Sequence, residues 1–223
     1  REGKTKYSEN AGLLALRQAI ARYLARTEGL SYDPASQIVV TPGAMGALFL
    51  ALKVLLNPGD EVIVNEPCWT NYIQQIRMCG GVPVSVKTDA QRGFDLDVSA
   101  VAETITSKTK AIILNSPCNP TGAVASAETL SQLAKLAQER DLVVLADEVY
   151  KHILFDGRTY TGFATLPGMK ERTLVIDSLS KTYAMTGWRL GYAAAPDLIL
   201  KQMLKIHQYA IMCAPTTSQY AAV

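Results

Sequence analysis

The residues best suited to covalent chemistry lie in the segment Ser178–Tyr192, which contains the run Ser-Leu-Ser-Lys-Thr-Tyr-Ala-Met-Thr-Gly-Trp-Arg. The apolar, β-branched run at residues 173–177 precedes it and predicts a buried strand. Lys181 follows that strand among small and hydroxyl-bearing residues, which is a poor setting for a solvated surface lysine. A lysine amine held in a pocket can act as a nucleophile. Arg189, farther along the same segment, could bind an anion near that amine.

An acidic residue and a phenol follow another predicted strand, in the run Ala-Asp-Glu-Val-Tyr. Asp147 follows the apolar run at residues 142–145, and acidic side chains are almost never fully buried unless they are paired. A cationic ligand could supply that partner, with Tyr150 beside it. The alternative is that Asp147 caps the N-terminus of a helix, a position that aspartate favours.

Three further strand ends carry candidate ligand contacts. Asn119 lies in the loop Asn115–Gly122, where prolines and a glycine either form a structural turn or aim the amide at a ligand oxygen. Trp69 begins a predicted helix and either stacks on a flat ring or anchors the core. The run Gly43-Ala44-Met45-Gly46 is either a tight strand–helix turn or a place where backbone N–H groups approach a phosphate.

These residues require a framework of alternating strands and helices. Apolar, β-branched runs predict strands at residues 37–41, 61–65, 82–86, 110–115, 142–146, 173–177 and 189–194. Helical periodicity predicts helices at residues 12–26, 43–57, 70–79, 97–106, 126–140 and 197–210. This alternation is typical of an α/β protein, a three-layer α/β/α sandwich whose seven-stranded sheet is mostly parallel. Ligands of such sheets bind beyond the carboxyl ends of the strands.

Composition excludes several classes of function. The 223 residues carry a formal net charge of +2, without a basic stripe that would indicate nucleic acid binding. No apolar run approaches the ~20 residues of a membrane helix, and the N-terminus does not resemble a signal peptide. Four cysteines without CxxC spacing and two distant histidines predict neither a metal site nor disulfides. A reducing, cytoplasmic location is therefore expected.

The strand ends together offer a lysine, a carboxylate, a phenol, an amide, an aromatic face, an arginine and a backbone site of phosphate size. This set describes a flat, cationic heteroaromatic aldehyde that carries a phosphate. In order and spacing, the SxSK…GxRxGY pattern, the NPTG loop and the D-E-x-Y run resemble the class I/II aminotransferases, which are fold-type I pyridoxal-phosphate (PLP) enzymes. The resemblance covers essentially the whole chain and is strongest to the bacterial and archaeal aspartate and aromatic aminotransferases.

The resemblance implies a role for each matching residue. Lys181 corresponds to the lysine that forms a Schiff base with PLP, and Asp147 to the partner of its pyridine nitrogen. The residues that correspond to the other cofactor contacts are Tyr150 and Asn119 at the 3′-oxygen, Trp69 on the ring, and Ser178, Ser180, Arg189, Gly43, Ala44 and Met45 at the phosphate. Tyr7 corresponds to a residue that reaches the phosphate of the neighbouring subunit, which implies a homodimer.

The same resemblance implies an enzyme that transfers an amino group between an L-amino acid and a 2-oxo acid. It also implies that residues 1–223 are the PLP-binding large domain, without the N-terminal segment and the small domain that supplies the substrate-carboxylate arginine. The absence of an initiating methionine agrees with an excerpt of a longer protein. The antiparallel strand of the family would be the run at residues 189–194. Two alternatives stay open: another fold-type I enzyme, such as a C–S lyase or an ACC-synthase-like enzyme, and a non-catalytic PLP-binding module.

Overall fold

The computed structural model describes residues 3–223, which form a single seven-stranded sheet with helices on both faces. The strands are β1 (Ile38–Thr41), β2 (Glu61–Glu66), β3 (Val82–Lys87), β4 (Thr109–Asn115), β5 (Val143–Asp147), β6 (Thr173–Ser178) and β7 (Gly191–Ala194). The α-helices are α1 (Leu14–Glu28), α2 (Gly43–Leu55), α3 (Thr70–Met78), α4 (Val98–Thr104), α5 (Ala127–Glu139), α6 (Leu179–Thr182), α7 (Asp197–Ala210) and α8 (Thr216–Ala221). Short 3-10 turns occupy Ala90–Arg92, Phe163–Thr165, Lys170–Arg172 and Thr186–Trp188.

The order of the strands in the sheet is β1-β7-β6-β5-β4-β2-β3. Strand β7 runs antiparallel to both of its neighbours, β1 and β6, while the pairs from β6 to β3 are parallel. The predicted mostly parallel α/β sheet, with its antiparallel strand at the run 189–194, is therefore confirmed. Each predicted strand is present, with ends that differ by one or two residues.

Alternating side chains of the strands build a core on each face of the sheet. Val62 and Val64 of β2 pack with α2, α3 and α7, whereas Ile63 between them packs with α4 and α5. Helix α1 covers the β1 and β7 end of that second face, where Leu16 and Ile20 contact Ile38 and its neighbours. Period-2 alternation in the strands and period-3.6 spacing in the helices thus explain the three layers.

The sheet brings together the carboxyl ends of its three central parallel strands. Asn115, the last residue of β4, pairs in register with Asp147, the last residue of β5. Strand β6 ends next to them at Ser178, and α6 with Lys181 follows at once. Within residues 3–223, no helix is long and apolar enough to span a membrane.

Candidate active site

A cavity of about 230 Å³ lies beyond the carboxyl ends of β4, β5 and β6, next to the N-terminus of α2. Ten of the predicted site residues line it: Ala44, Met45, Trp69, Asn119, Asp147, Tyr150, Ser178, Ser180, Lys181 and Arg189. The cavity therefore brings together an amine, a carboxylate, a guanidinium, a phenol and an amide from three separate segments of the sequence. This position matches the general rule for ligand sites of open α/β sheets.

Asp147 is the buried acid of the cavity, with 3% of its surface exposed. Its Oδ2 accepts a hydrogen bond of 2.7 Å from the Tyr72 hydroxyl, and its Oδ1 accepts a long one of 3.4 Å from the Val149 N–H. Burial raises the pKa of Asp147 to about 6, while these two hydrogen bonds oppose the rise. The carboxylate is therefore mostly ionised at neutral pH. Within residues 3–223 no lysine, arginine or histidine forms an ion pair with it.

The alternative reading of Asp147 as a helix N-cap is wrong. Turns rather than a helix follow β5, and within residues 3–223 the only backbone N–H that donates to the Asp147 carboxylate is that of Val149. Residue Glu148 instead donates its N–H to the carbonyl of Ile176 in β6 at 2.9 Å. The carboxylate of Asp147 is therefore held at the strand end and directed by the tyrosine beside it.

Tyr72 is the site residue that the sequence reasoning missed. It lies in the first turn of α3, its side chain is buried with 1% exposure, and it lines the cavity beside Asp147. Burial and the facing Asp147 carboxylate raise its pKa well above the ordinary value, so the phenol stays protonated and donates a hydrogen bond to Asp147. A signal was present in the sequence, because Tyr72 follows Trp69 by three residues and positions i and i+3 share a helix face.

Asn115 joins the ends of two strands to the loop that carries Asn119. Its amide Nδ2 donates to the backbone carbonyl of Asp147 at 3.0 Å, and its Oδ1 accepts the Asn119 N–H at 2.8 Å. Asn115 is buried, whereas Asn119 is half-buried at the cavity wall. The Asn115 side chain therefore links the backbone of this loop to β5, the strand that presents the acid.

Lys181 lies in α6 with its Nζ 5.6 Å from the centre of the Tyr150 ring. The two side chains share the cavity wall, as the sequence predicted. Lys181 is, however, an exposed residue at the cavity rim. The expectation that this lysine is withdrawn from solvent is therefore wrong, although its side chain does line the cavity.

The end of the cavity next to the start of α2 is suited to an anion. Helix α2 begins there at Gly43, so its first N–H groups have no partner within the helix. Gly43 has φ +73°, and a Cβ at this residue would lie 2.7 Å from Nη2 of Arg189. The guanidinium therefore packs directly on the backbone at the helix start, with Ser178 and Ser180 also on the cavity wall. A positive dipole end, a guanidinium and two hydroxyls together favour a phosphate or carboxylate.

Trp69 forms the aromatic wall of the cavity. Its ring packs edge-on against Tyr72, with centroids 5.4 Å apart and an interplanar angle of 89°. The side chain also touches the core between α2 and α3. Both readings of this residue are therefore compatible with its position, because one edge is anchored while the residue still lines the cavity.

Tyr7 and Gly43 are the two predicted site residues that do not line this cavity; Gly43 lies beside it at the start of α2, whereas Tyr7 lies elsewhere. Tyr7 is 82% exposed and contributes to a separate surface groove with Lys6, Cys213 and Thr216. Its predicted role on a neighbouring subunit stays a prediction.

No group of three or more His, Cys, Asp or Glu side chains that could hold a metal ion occurs in the part of the chain that the structure describes.

Comparison with known proteins places the chain among aminotransferases. The family whose model matches residues 1–223 is described as "Aminotransferase class I and II". The chain is 43% identical over 220 residues to an aspartate aminotransferase of Pyrococcus abyssi, covering 99% of this chain and 57% of the relative. A Bacillus subtilis protein whose name provisionally assigns it to the aminotransferases is 50% identical over 222 residues, which are 100% of this chain and 57% of that protein.

Solved structures agree with these matches. An aromatic aminotransferase of Pyrococcus horikoshii superposes with a TM-score of 0.97 at 43% identity, over 99% of this chain and 59% of that one. The chain spans 57% of the length of the curated relatives named above.

Proposed function

The chain belongs to the class I and II aminotransferase family, and we propose that it is the cofactor-binding part of an enzyme that transfers an amino group between an L-amino acid and a 2-oxo acid. Residues 1–223 would be the large, PLP-binding domain of that enzyme. One observation carries the proposal: Asp147, a buried carboxylate without a cationic partner within residues 3–223, shares a cavity with the Lys181 amine and the Arg189 guanidinium. Members of this family depend on PLP.

The residues present fit PLP at its ring nitrogen. An unpaired buried carboxylate needs a positive partner, and a protonated pyridine nitrogen would supply it. Because the pKa of Asp147 is about 6, the free site can offer an ionised carboxylate at neutral pH. A carboxylate within ~4–6 Å raises the pKa of a cation by roughly 1–3, or about 1.4–4 kcal/mol. Asp147 would therefore keep the ring nitrogen protonated.

The residues also fit the other edges of the cofactor. The start of α2 at Gly43, Ala44 and Met45 would hold the phosphate with Arg189, Ser178 and Ser180. The side chains of Tyr150 and Asn119 would donate to the ring 3′-oxygen, and Trp69 would cover the ring. When bound, PLP withdraws electrons from the bonds of an attached amino acid.

Lys181 would have two roles at the cavity rim. Its Nζ would be the covalent attachment point of the cofactor, and once released it would carry a proton to and from the substrate Cα. The exposed position of the amine suits the second role, because the group must reach substrates that enter from the open side. Its closeness to the Tyr150 ring limits where the amine can swing.

The test begins with loading the complete protein with PLP, reducing it with borohydride and mapping the labelled peptide. We expect the label on Lys181 alone, and Lys135→Ala, which removes an exposed lysine of α5, should leave it unchanged. Addition of an amino acid without a 2-oxo acid should then convert the cofactor to its amine form once per site, with release of the 2-oxo acid. Label on another lysine would contradict the assignment.

The same half-reaction separates the alternatives. A C–S lyase would release a thiol and ammonia over many turnovers without a 2-oxo acid acceptor. An ACC-synthase-like enzyme would cyclise its substrate rather than release a 2-oxo acid. A non-catalytic module would bind PLP on Lys181 and leave the amino acid unchanged.

The proposal includes a homodimer with Tyr7 turned toward the neighbouring site. The 82% exposure of Tyr7 and the surface groove beside it support this arrangement, since the phenol is accessible to a neighbouring subunit. Sedimentation of the complete protein should give twice the mass of one chain. A monomer at micromolar concentration would contradict this part of the proposal.

A cytoplasmic location is also proposed. Its support is that Cys68, Cys79, Cys118 and Cys213 are all free thiols within residues 3–223. Free cysteines persist in reducing compartments, whereas oxidising compartments favour disulfides. Fractionation of cells that produce the complete protein would test this location.

A further inference from the structure

A cluster of buried charges lies beside the candidate active site and is not used by the proposed chemistry. Its centre is Lys151, in the turn after β5, whose side chain is 2% exposed. The Nζ lies 2.7 Å from Glu28 Oε1 of α1, 3.3 Å from Glu148 Oε2 and 3.0 Å from Asp177 Oδ2 of β6. None of the three carboxylate side chains is more than 5% exposed.

The charges of this cluster do not balance. Burial by itself would lower the pKa of Lys151, but Tyr192 and the three carboxylates that face the ammonium raise it above its ordinary value. Burial raises the pKa of Glu148 above its ordinary value, and the Lys151 ammonium opposes that rise. Lys151 is therefore a permanent cation, while Asp177 remains one of its close acceptors.

A short series of contacts leads from this cation to the cofactor cavity. The second oxygen of Asp177, Oδ1, accepts the backbone N–H of Ser178 at 2.7 Å. Ser178 is the N-cap of α6, and its Oγ accepts the N–H of Ser180 at 3.3 Å. That single turn carries Lys181. The Tyr192 hydroxyl also donates to Asp177 Oδ2 at 3.0 Å, so this carboxylate is fixed from both sides.

A second contact connects the same cation to the acid of the site. Glu148, which contacts Lys151 at 3.3 Å, directly follows Asp147 in the chain. Its N–H donates to the Ile176 carbonyl of β6. Lys151 thus contacts the two strand exits that present Asp147 and Lys181, and it holds both of them to α1 through Glu28.

We propose that Lys151 is a positioning residue of the cofactor site, which holds the Asp177 carboxylate in the orientation that fixes the turn with Ser178, Ser180 and Lys181. The inference rests on the proposed function, because it assigns the cofactor to that turn. Removal of the cation would leave buried carboxylates facing one another without a counter-charge. Asp177 would then rotate or take up a proton, and the α6 turn would lose its fixed start.

The experiment compares Lys151→Met with Lys135→Met in the complete, PLP-loaded protein. Lys135 is the matched control, because it is 78% exposed and its only ion pair within residues 3–223 is a 3.9 Å contact to Glu139. We expect Lys151→Met to raise the dissociation constant of PLP about tenfold or more, the order expected for a lost buried charge contact. It should also shift the pH midpoint of the absorbance of the bound cofactor. The control should change neither quantity.

A double-mutant cycle with Asp177→Asn tests the route of the effect. If Lys151 acts through Asp177, the PLP affinity of the double variant should be higher than the product of the two single effects predicts. Independent, multiplicative effects would overturn the proposal. A Lys151→Met variant that is less stable, but binds PLP with wild-type affinity and an unchanged midpoint, would show a purely structural role and also overturn it.

Two further arms keep the outcome decisive. If Lys151→Met does not fold, Asp177→Asn alone tests the last contact, and wild-type PLP affinity and midpoint in that variant would refute the inference. Failure of the proposed function is visible separately, because the wild-type protein would then show no borohydride label on Lys181. If the wild-type protein loads PLP normally and Lys151→Met binds PLP equally well, only the positioning role is refuted.

Discussion

Tyr72→Phe tests whether the Tyr72 hydroxyl controls the ionisation of Asp147. The substitution removes one oxygen from a buried ring and leaves its packing against Trp69 in place. The lost hydrogen bond is 2.7 Å long and ends on Asp147 Oδ2. No other side chain within residues 3–223 donates to this carboxylate.

The size of the effect follows from the energy of that bond. A hydrogen bond to a charged group contributes about 1.5–3 kcal/mol, and 1.36 kcal/mol corresponds to a pKa change of about 1. The pKa of Asp147, about 6 in the native chain, should therefore rise by about 1 to 2. At neutral pH the ionised fraction would fall from about nine-tenths to between one-half and about one-tenth.

The assay is the affinity of the cofactor-free protein for PLP, measured by absorbance as a function of pH. Because the proposed function requires an ionised Asp147 to hold the protonated ring nitrogen, affinity should fall as the pH drops through the pKa of Asp147. In Tyr72→Phe this fall should begin at a higher pH, displaced upward by about 1 to 2. Tyr209→Phe, which alters a phenol that is 92% exposed, is the matched control. An unchanged or lower midpoint in Tyr72→Phe would refute the reasoning.

Three further changes have defined outcomes. Because the pKa of Asp147 is raised from 3.8 to about 6, its ionisation costs native stability as pH rises through that window. Asp147→Asn should therefore stabilise the cofactor-free protein at neutral pH by up to about 3 kcal/mol and should give no gain in acid, as measured by thermal unfolding. Gly191→Ala would place a Cβ 2.5 Å from the carbonyl carbon of Gly43, so it should lower the free energy of unfolding by about 1–3 kcal/mol and weaken PLP binding. Gly187→Ala, which has open space around it, should do neither, and equal calorimetric stabilities of the two variants would contradict the packing argument. Lys181→Ala should abolish borohydride labelling and slow the half-reaction by about 10²–10⁴-fold or more in stopped-flow, and a near-native rate would reject its proton-transfer role.

The framework of this chain could be predicted because each element repeats a local pattern. Residues 174–176 of β6 are all apolar and buried, without the polar alternation of a half-exposed strand, as expected for a strand covered on both faces. The polar residue that follows each such strand is then placed by topology alone, since parallel strands end at one edge. Asp147 and Lys181 could be assigned to one cavity on that basis, even though 34 positions, the difference of 181 and 147, separate them in the sequence.

The contacts between these residues could not be predicted, because they depend on distances across the fold. Lys151 lies in an ordinary polar turn and reads as a surface lysine. It is buried among partners that include Glu28, which reaches it from α1 at a sequence separation of 123, and Asp177 of β6. Tyr72 likewise reads as one more apolar position of α3, and its hydrogen bond to Asp147 spans 75 positions. No local periodicity encodes such a pair, so the partners emerge only from the packed structure.

The anion end of the cavity carries backbone strain. Arg189 has φ +52°, a left-handed conformation that costs a residue with a side chain roughly 1–2 kcal/mol. It persists because its Nη1 donates to the Thr186 carbonyl at 2.8 Å and its guanidinium packs on the bare backbone of Gly43. Strain of this kind survives where the surroundings over-determine the conformation. The free energy needed to align the guanidinium with the start of α2 is therefore lost on folding rather than on binding. A phosphate that binds there would find the Arg189 guanidinium already in place.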